Sequence, residues 1–151
     1  MTDTPRPTAC SNASLRRATR RLSQLYDEAI APSGLRATQF GLLAQLRQLG
    51  EPTMGALAEV LVMDLSALGH TLRPLTRDGL VRVVVDPRDR RSRRVTLTEE
   101  GEARFRAAGR LWRGAQARFE ATFGSEKAAQ LRALLDEVAS RDFEAAFTQA
   151  E

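Results

Sequence analysis

The sequence predicts a mainly α-helical (α+β) fold with elements in the order α-α-α-α-β-β-α-α. Three observations carry that reading. Apolar residues recur at spacings of three and four over most of the chain. Two of the shortest such stripes nearly adjoin, and a valine-rich run on either side of a polar loop reads as paired strands. The 151 residues are enough for one compact domain, or for one domain with helical extensions. With 42% hydrophobic and 28% charged residues the balance is globular, not disordered. Aromatics are few, so Ala, Leu and Val must fill most of the core.

Residues 1–11 are polar, hold Pro5 and Pro7, and read as a flexible tail. From Asn12 to Ala31 the stripe Leu15, Ala18, Leu22, Leu25 and Ala29, widened by Tyr26 and Ile30, predicts an amphipathic helix that Pro32 and Gly34 end. Thr38 is a good N-cap for a second helix that carries Phe40, Leu42, Leu43, Leu46 and Leu49 inward and stops at Gly50. Pro52 and Thr53 open a short helix with Met54, Leu57, Ala58 and Leu61 on one face. Asp64 begins the next, with Leu65, Leu68, Leu72 and Leu75 expected in the core and Gly79 in the left-handed position beyond its end. Pro74 lies inside that helix and removes the bond to the His70 carbonyl, so a kink or local loosening is expected there.

Leu80–Val85 and Arg93–Leu97 then read as a hairpin around the turn-like Asp86–Ser92. Thr98 caps a long helix whose Glu99 and Glu100 suit the positive end of the dipole, and which presents Phe105, Ala108, Trp112, Ala115 and Phe119. Ser125 is expected to cap a last helix bearing Leu131, Leu134, Leu135, Val138 and Phe147.

Two short helices joined by a tight turn and followed by a hairpin make a winged helix-turn-helix. The major groove of B-DNA admits one α-helix. The polar face of the second short helix shows Ser66, Ala67, Gly69, His70, Arg73 and Arg77. Small residues there let the backbone approach closely; His70 and Arg73 can reach base edges, and Arg77 suits a phosphate. Arg88, Arg90, Arg91 and Arg93 project from the hairpin loop, where they can enter a minor groove. Thr53 caps its helix and can also hold a phosphate.

Charge follows the same division. Residues 73–94 carry eight arginines against three aspartates, a net +5, whereas 120–151 carry three basic and seven acidic residues, a net −4. A basic middle and an acidic end point to a polyanion that meets only the middle.

The segment LVMDLSALGHTLRPLTRDGLV at 61–81, followed by DPRDRRSRRVTLTEEG at 86–101, resembles the MarR family of bacterial transcriptional regulators. Asp86, Asp89, Arg91, Val95, Leu97 and Thr98 meet its wing pattern D-x-x-D-x-R-x-x-x-V-x-L-T, and GLRATQFGLLAQL at 34–46 is similar to its second helix. The resemblance spans about residues 12–147. It implies a homodimer, with residues 12–34 and 104–151 forming a helical dimerisation region and 35–103 the DNA-binding domain. Such a dimer acts on a palindromic double-stranded operator, commonly as a ligand-responsive repressor. The flanking apolar stripes agree, since two long helices beside a small domain leave more apolar surface than one chain easily covers. The resemblance also implies that Asp64 pairs with Arg91 and fixes the wing.

Many relatives release DNA when a small, often phenolic, effector enters the cleft between the dimer helices and the winged domain. One branch instead oxidises a cysteine, and Cys10 invites that alternative. Aligned on Tyr26, however, the sensing position falls at Asn12 and the activating second tyrosine at Ala37, and only Arg16 and Arg17 stand near to lower the thiol pKa.

One cysteine and one histidine exclude an internal disulfide framework and a Cys/His zinc cluster, and no cofactor is implied. No nucleophile–base pair, metal spacing or phosphate loop suggests an enzyme. The N-terminus lacks the apolar core of a signal peptide, and no stretch approaches the ~18 apolar residues of a membrane span. A soluble cytoplasmic protein without a membrane partner is therefore expected. A nonspecific nucleoid protein would bind all sequences alike; the fixed spacing of a helix-turn-helix dimer argues for specific sites.

Overall fold

The computed structural model describes residues 10–150. The expected tail therefore lies, up to residue 9, outside the described residues. Helix α1 (Ser11–Ile30) ends in a single 3-10 turn, Ala31–Ser33, closed by Gly34 at φ 75°. Then follow α2 (Ala37–Leu49), α3 (Met54–Val60), α4 (Leu65–Arg77), β1 (Val81–Val85), β2 (Arg93–Leu97), α5 (Glu99–Phe123), α6 (Ser125–Val138) and α7 (Arg141–Gln149). The expected mainly helical winged order is observed, with one further helix at the end.

The core is the convergence of the short helices on the hairpin and on α5. Ile30, Leu43, Leu46, Leu57, Leu68, Leu75, Val81 and Val95 are all fully buried. Burying one such side chain contributes roughly 1.5–3 kcal/mol, so these residues hold α2, α3, α4 and the wing as one lobe. Phe40 on α2 stacks on Phe105 of α5 with ring centroids 5.0 Å apart, and leans on Trp112 at 5.8 Å. Arg47 lies over the Phe105 ring and pairs with Glu102 at 3.3 Å, closing the solvent side of that contact. One turn beyond Trp112, the Tyr26 hydroxyl donates to Gln116 Oε1 at 2.8 Å and ties α1 to α5 across 90 residues of sequence.

Four local expectations are corrected. Thr38 is not the cap of α2; Arg36 occupies that position. The Arg36 amide donates to Gln39 Oε1 (2.9 Å) and the Ala37 amide to Asp27 Oδ1 of α1 (2.6 Å). A cap supplied by another helix leaves no local trace. Ser125 is likewise the first helical residue of α6, behind Gly124, and makes no capping bond. The single last helix is two, because Ser140 leaves the helical conformation and its hydroxyl accepts from the Phe143 amide at 3.1 Å, starting α7. Finally, Leu49 and Leu65 are exposed instead of buried. Pro74 sits inside α4, which nonetheless runs on to Arg77.

Two backbone positions are tightly constrained. A Cβ on Gly101 would lie 1.9 Å from the Leu80 carbonyl oxygen, so only glycine lets the first turn of α5 lie against the start of the wing. Val62, between α3 and α4, adopts φ 52° although it is β-branched, and its side chain is mostly exposed.

Gly101→Ala is expected to destabilise the fold by about 1–3 kcal/mol or more, since the neighbour is backbone and cannot yield without moving the wing. Chemical denaturation measures it. Val62→Asn is expected to raise stability by about 1 kcal/mol, because it relieves the left-handed strain with little packing to lose. An unchanged midpoint would show that the turn stores no strain.

Candidate nucleic-acid interface

Helix α4 is placed by both of its ends. At the start, Asp64 Oδ1 accepts from the Ala67 amide at 2.7 Å, a side-chain N-cap. At the end, the Leu80 amide donates to Leu75 O (2.9 Å) and Gly79, at φ 73°, donates to Thr76 O (3.1 Å), which is the double closure that a left-handed glycine permits. Between them Leu68, Leu72 and Leu75 are buried, which turns the opposite face outward. Ser66, His70, Arg73 and Arg77 are exposed there, with Ala67 and Gly69 half-buried beside them. A Cβ at Gly69 would meet nothing within 4 Å, so no contact inside the chain requires that glycine. Arg77 donates to its neighbour Asp78 at 2.9 Å, and this bond holds the Asp78 carboxyl below its ordinary pKa.

Thr53 caps α3, its hydroxyl accepting from the Ala56 amide at 3.1 Å. It also stands in a bridge with Arg94, and the Val95 amide donates to Pro52 O at 3.0 Å. The start of α3 thus lies along the outer edge of β2. On the other edge, β2 pairs antiparallel with β1 in the register Val81↔Leu97 to Val85↔Arg93.

The wing loop is built on two aspartates. Asp86 Oδ1 accepts from the Arg88 amide (3.0 Å) and Asp89 Oδ1 from the Arg91 amide (2.9 Å), two successive Asx turns. The Asp86 amide donates to Ser92 O at 3.0 Å and closes the loop. Asp86 is nearly buried, and the Arg94 guanidinium pairs with it at 3.0 Å while also donating to the Glu51 carbonyl. Hydrogen bonding from Arg94, then from the Arg88 amide, holds the Asp86 carboxyl below its ordinary pKa. Arg88, Arg90, Arg91 and Arg93 are exposed around this frame, and Arg93 folds back to donate to the Arg90 and Ser92 carbonyls.

The structure does not bring Asp64 and Arg91 into an ion pair. Asp64 Oδ1 accepts from its own helix, and the ion pair observed at the base of the wing loop is Asp86–Arg94. Asp86 and Arg94 flank the loop diagonally across the closing Val85↔Arg93 pair, a separation that a long arginine side chain can span. In the sequence Arg94 stands out only as part of the basic run at residues 73–94. Cys10 is a free, exposed thiol at the N-cap position of α1 and makes no capping bond.

A second feature lies where α1, α5 and α6 meet. Tyr26, Gln116, Glu120 and Arg132 form a hydrogen-bonded chain, with Gln116 Nε2 donating to Glu120 Oε1 at 2.9 Å and Arg132 to the same oxygen at 3.3 Å. Burial first, and the Glu120 charge second, push the Tyr26 hydroxyl pKa up, so it remains a proton donor at neutral pH. Among the described residues no group of three or more His, Cys, Asp or Glu is placed to hold a metal, and no single helix is long and apolar enough to cross a membrane.

The Asp86 pair has a defined acid limit. A carboxyl whose pKa is lower folded than unfolded stabilises fully above the unfolded value, near 3.9, and that contribution is lost as pH falls through the lower folded value. Amide hydrogen exchange of the wing loop is thus expected to accelerate in wild type only below about pH 4. In Asp86→Asn the acceleration is present already at neutral pH, with helix content unchanged by circular dichroism.

Comparison with known proteins agrees with this geometry. Residues 35–92 match the model of the MarR family. The chain is 35% identical over 80 residues to the multiple antibiotic resistance protein MarR of Salmonella typhimurium, a match covering 53% of this chain and 56% of that protein, about half the length of each. The crystal structure of the M. tuberculosis transcriptional regulator MosR in complex with DNA superposes with a TM-score of 0.76 at 39% identity, over 86% of this chain and 96% of that one. A mutant E. coli MarR complexed with operator DNA gives 0.75 at 26% identity, over 84% and 91%. With the winged lobe, the capped α4 and the two-aspartate wing in place, the chain belongs to the MarR family of DNA-binding transcriptional regulators.

Proposed function

We propose that this regulator is a ligand-responsive repressor that acts as a homodimer on a palindromic double-stranded operator. The observation that carries the reading is one surface on which the exposed face of α4 adjoins a wing rich in unneutralised arginine. Among the described residues, no ion pair engages Arg88, Arg90, Arg91 or Arg93, although they crowd one loop. Such repulsion is relieved by a polyanion. In this reading Ser66, Ala67, His70 and Arg73 face base edges, Arg77 and Thr53 face phosphates, and the wing arginines enter the minor groove. Residues 35–103 form the binding domain.

Dimerisation is assigned to residues 12–34 and 104–151. Its support is the apolar surface left by α6 and α7, where Leu134 is 61% and Phe147 74% exposed. Scattered exposed leucines are ordinary, but a run along two consecutive helices marks an interaction face. For the effector, a groove of about 310 Å³ between α1, α5 and α6 is lined by Leu22, Phe119 and Leu131, with Tyr26 and Arg132 as polar groups. That size and lining suit a small aromatic molecule with an acidic or phenolic group.

A duplex selected by the protein from a random pool tests the reading. Arg73→Ala is expected to lose about 1–3 kcal/mol of preference for the selected site over a scrambled one. Arg88→Ala should weaken binding to both alike and lower the salt slope by about one. Equal wild-type affinity for selected and scrambled duplexes, or a monomer by sedimentation at the binding concentration, would sink the proposal. Effector response is read as release of that duplex by aromatic acids, abolished in Tyr26→Phe/Arg132→Ala.

A further inference from the structure

Leu65 is the residue of α4 whose position is least explained by the fold. Its place in the leucine stripe, three residues before Leu68, predicts burial, yet it is 58% exposed whereas Leu68 and Leu75 are fully buried. The reason is geometric. Leu65 is the first helical residue, and side chains on a helix lean toward its N-terminus. With no helical turn before it, the isobutyl group projects past the end of α4 instead of onto a preceding turn.

That end is chemically unusual. Asp64 satisfies the Ala67 amide and adds a carboxylate, so the helix start is unsuited to a phosphate. Leu65, Gly69 and Arg73 stand at i, i+4 and i+8, and so form one ridge along the helix. At the middle of the ridge stands the glycine that no internal contact requires, in a helix interior where it costs about 1 kcal/mol relative to alanine. Its missing side chain leaves clearance between an apolar tip at Leu65 and a guanidinium at Arg73. In the major groove the one apolar feature of the base edges is the thymine 5-methyl group.

We propose that Leu65 reads a thymine methyl in each operator half-site, with Gly69 giving the clearance that lets Leu65 and Arg73 engage base edges of the same half-site. The assignment rests on the DNA-binding reading above. It adds a sequence preference at a position that makes no hydrogen bond, and so would be missed by a search for polar contacts.

The test is a substitution of one methyl group. The selected duplex is remade with deoxyuridine at each thymine in turn, which removes the 5-methyl and leaves every hydrogen-bonding group intact. Wild type is expected to lose about fourfold in affinity at one thymine of each half-site, the equivalent of one buried methyl. Leu65→Ala should lose sensitivity to deoxyuridine at that position alone. Should Leu65→Ala bind too weakly to measure, Leu65→Val, with a shorter side chain, is expected to show a reduced loss there. Deoxyuridine that is neutral at every thymine overturns the proposal. So does a loss that persists undiminished in both variants while their melting temperatures match wild type. A random pool that enriches no site overturns the DNA-reading function itself, and this proposal with it.

Discussion

The junction of α4, β1 and α5 constrains everything around it. Gly79 closes α4 in the left-handed conformation, and its carbonyl accepts from the Thr98 hydroxyl at 2.6 Å. The next carbonyl, Leu80 O, accepts from the Thr98 amide at 3.1 Å, and the same Thr98 oxygen accepts from the Gly101 amide at 3.0 Å. One threonine therefore joins the end of the exposed helix, the base of the wing and the first turn of the long helix. The absence of a side chain at Gly101 is what lets these backbones meet. Because Leu80 and Val81 are buried directly beyond this point, the wing has no independent hinge there. The α4 face and the wing are thus joined through the same backbone groups to the first turn of α5, which spans about 37 Å at 1.5 Å per residue.

Within the wing, charge is divided between scaffolding and surface. A nearly buried Asp86 with Arg94 uses one arginine to fix the loop against the Glu51 carbonyl and the start of α3. Removing one partner of such a pair costs more than the pair contributes, because the other is left unsatisfied. The remaining arginines have no such anchor and stay in solvent. The same aspartates that organise the loop as Asx turns thus also lower its net charge. Against them the hairpin, residues 81–97, carries six arginines.

Much of this was legible locally. The leucine stripe of α4, the Thr53 and Thr98 caps, the closing role of Gly79 and the two strands all follow from periodicity, side-chain chemistry and backbone preference over a few residues. The candidate face followed as well, since burying Leu68, Leu72 and Leu75 leaves His70 and Arg73 outside. What escaped depended on distant partners. Asp27 of α1 caps α2 and displaces the expected Thr38 start. Arg94 finds Asp86 and not a free surface. Leu65 satisfies the apolar spacing but has no preceding turn to lie on, and Ser140 breaks a periodic run through one side-chain bond.

The sequence by itself determined the fold class, the winged helix-turn-helix and the residues that must face outward, because each rests on interactions within a turn or a hairpin. Only the tertiary structure decided which charged groups are scaffold and which remain available. A carboxylate commits to whichever donor the fold brings within about 3 Å, and for Asp64 that donor is the Ala67 amide, while for Asp86 it is Arg94. Composition shows how many charges a segment holds, but their pairing is set by distances that exist only once the chain has closed on itself.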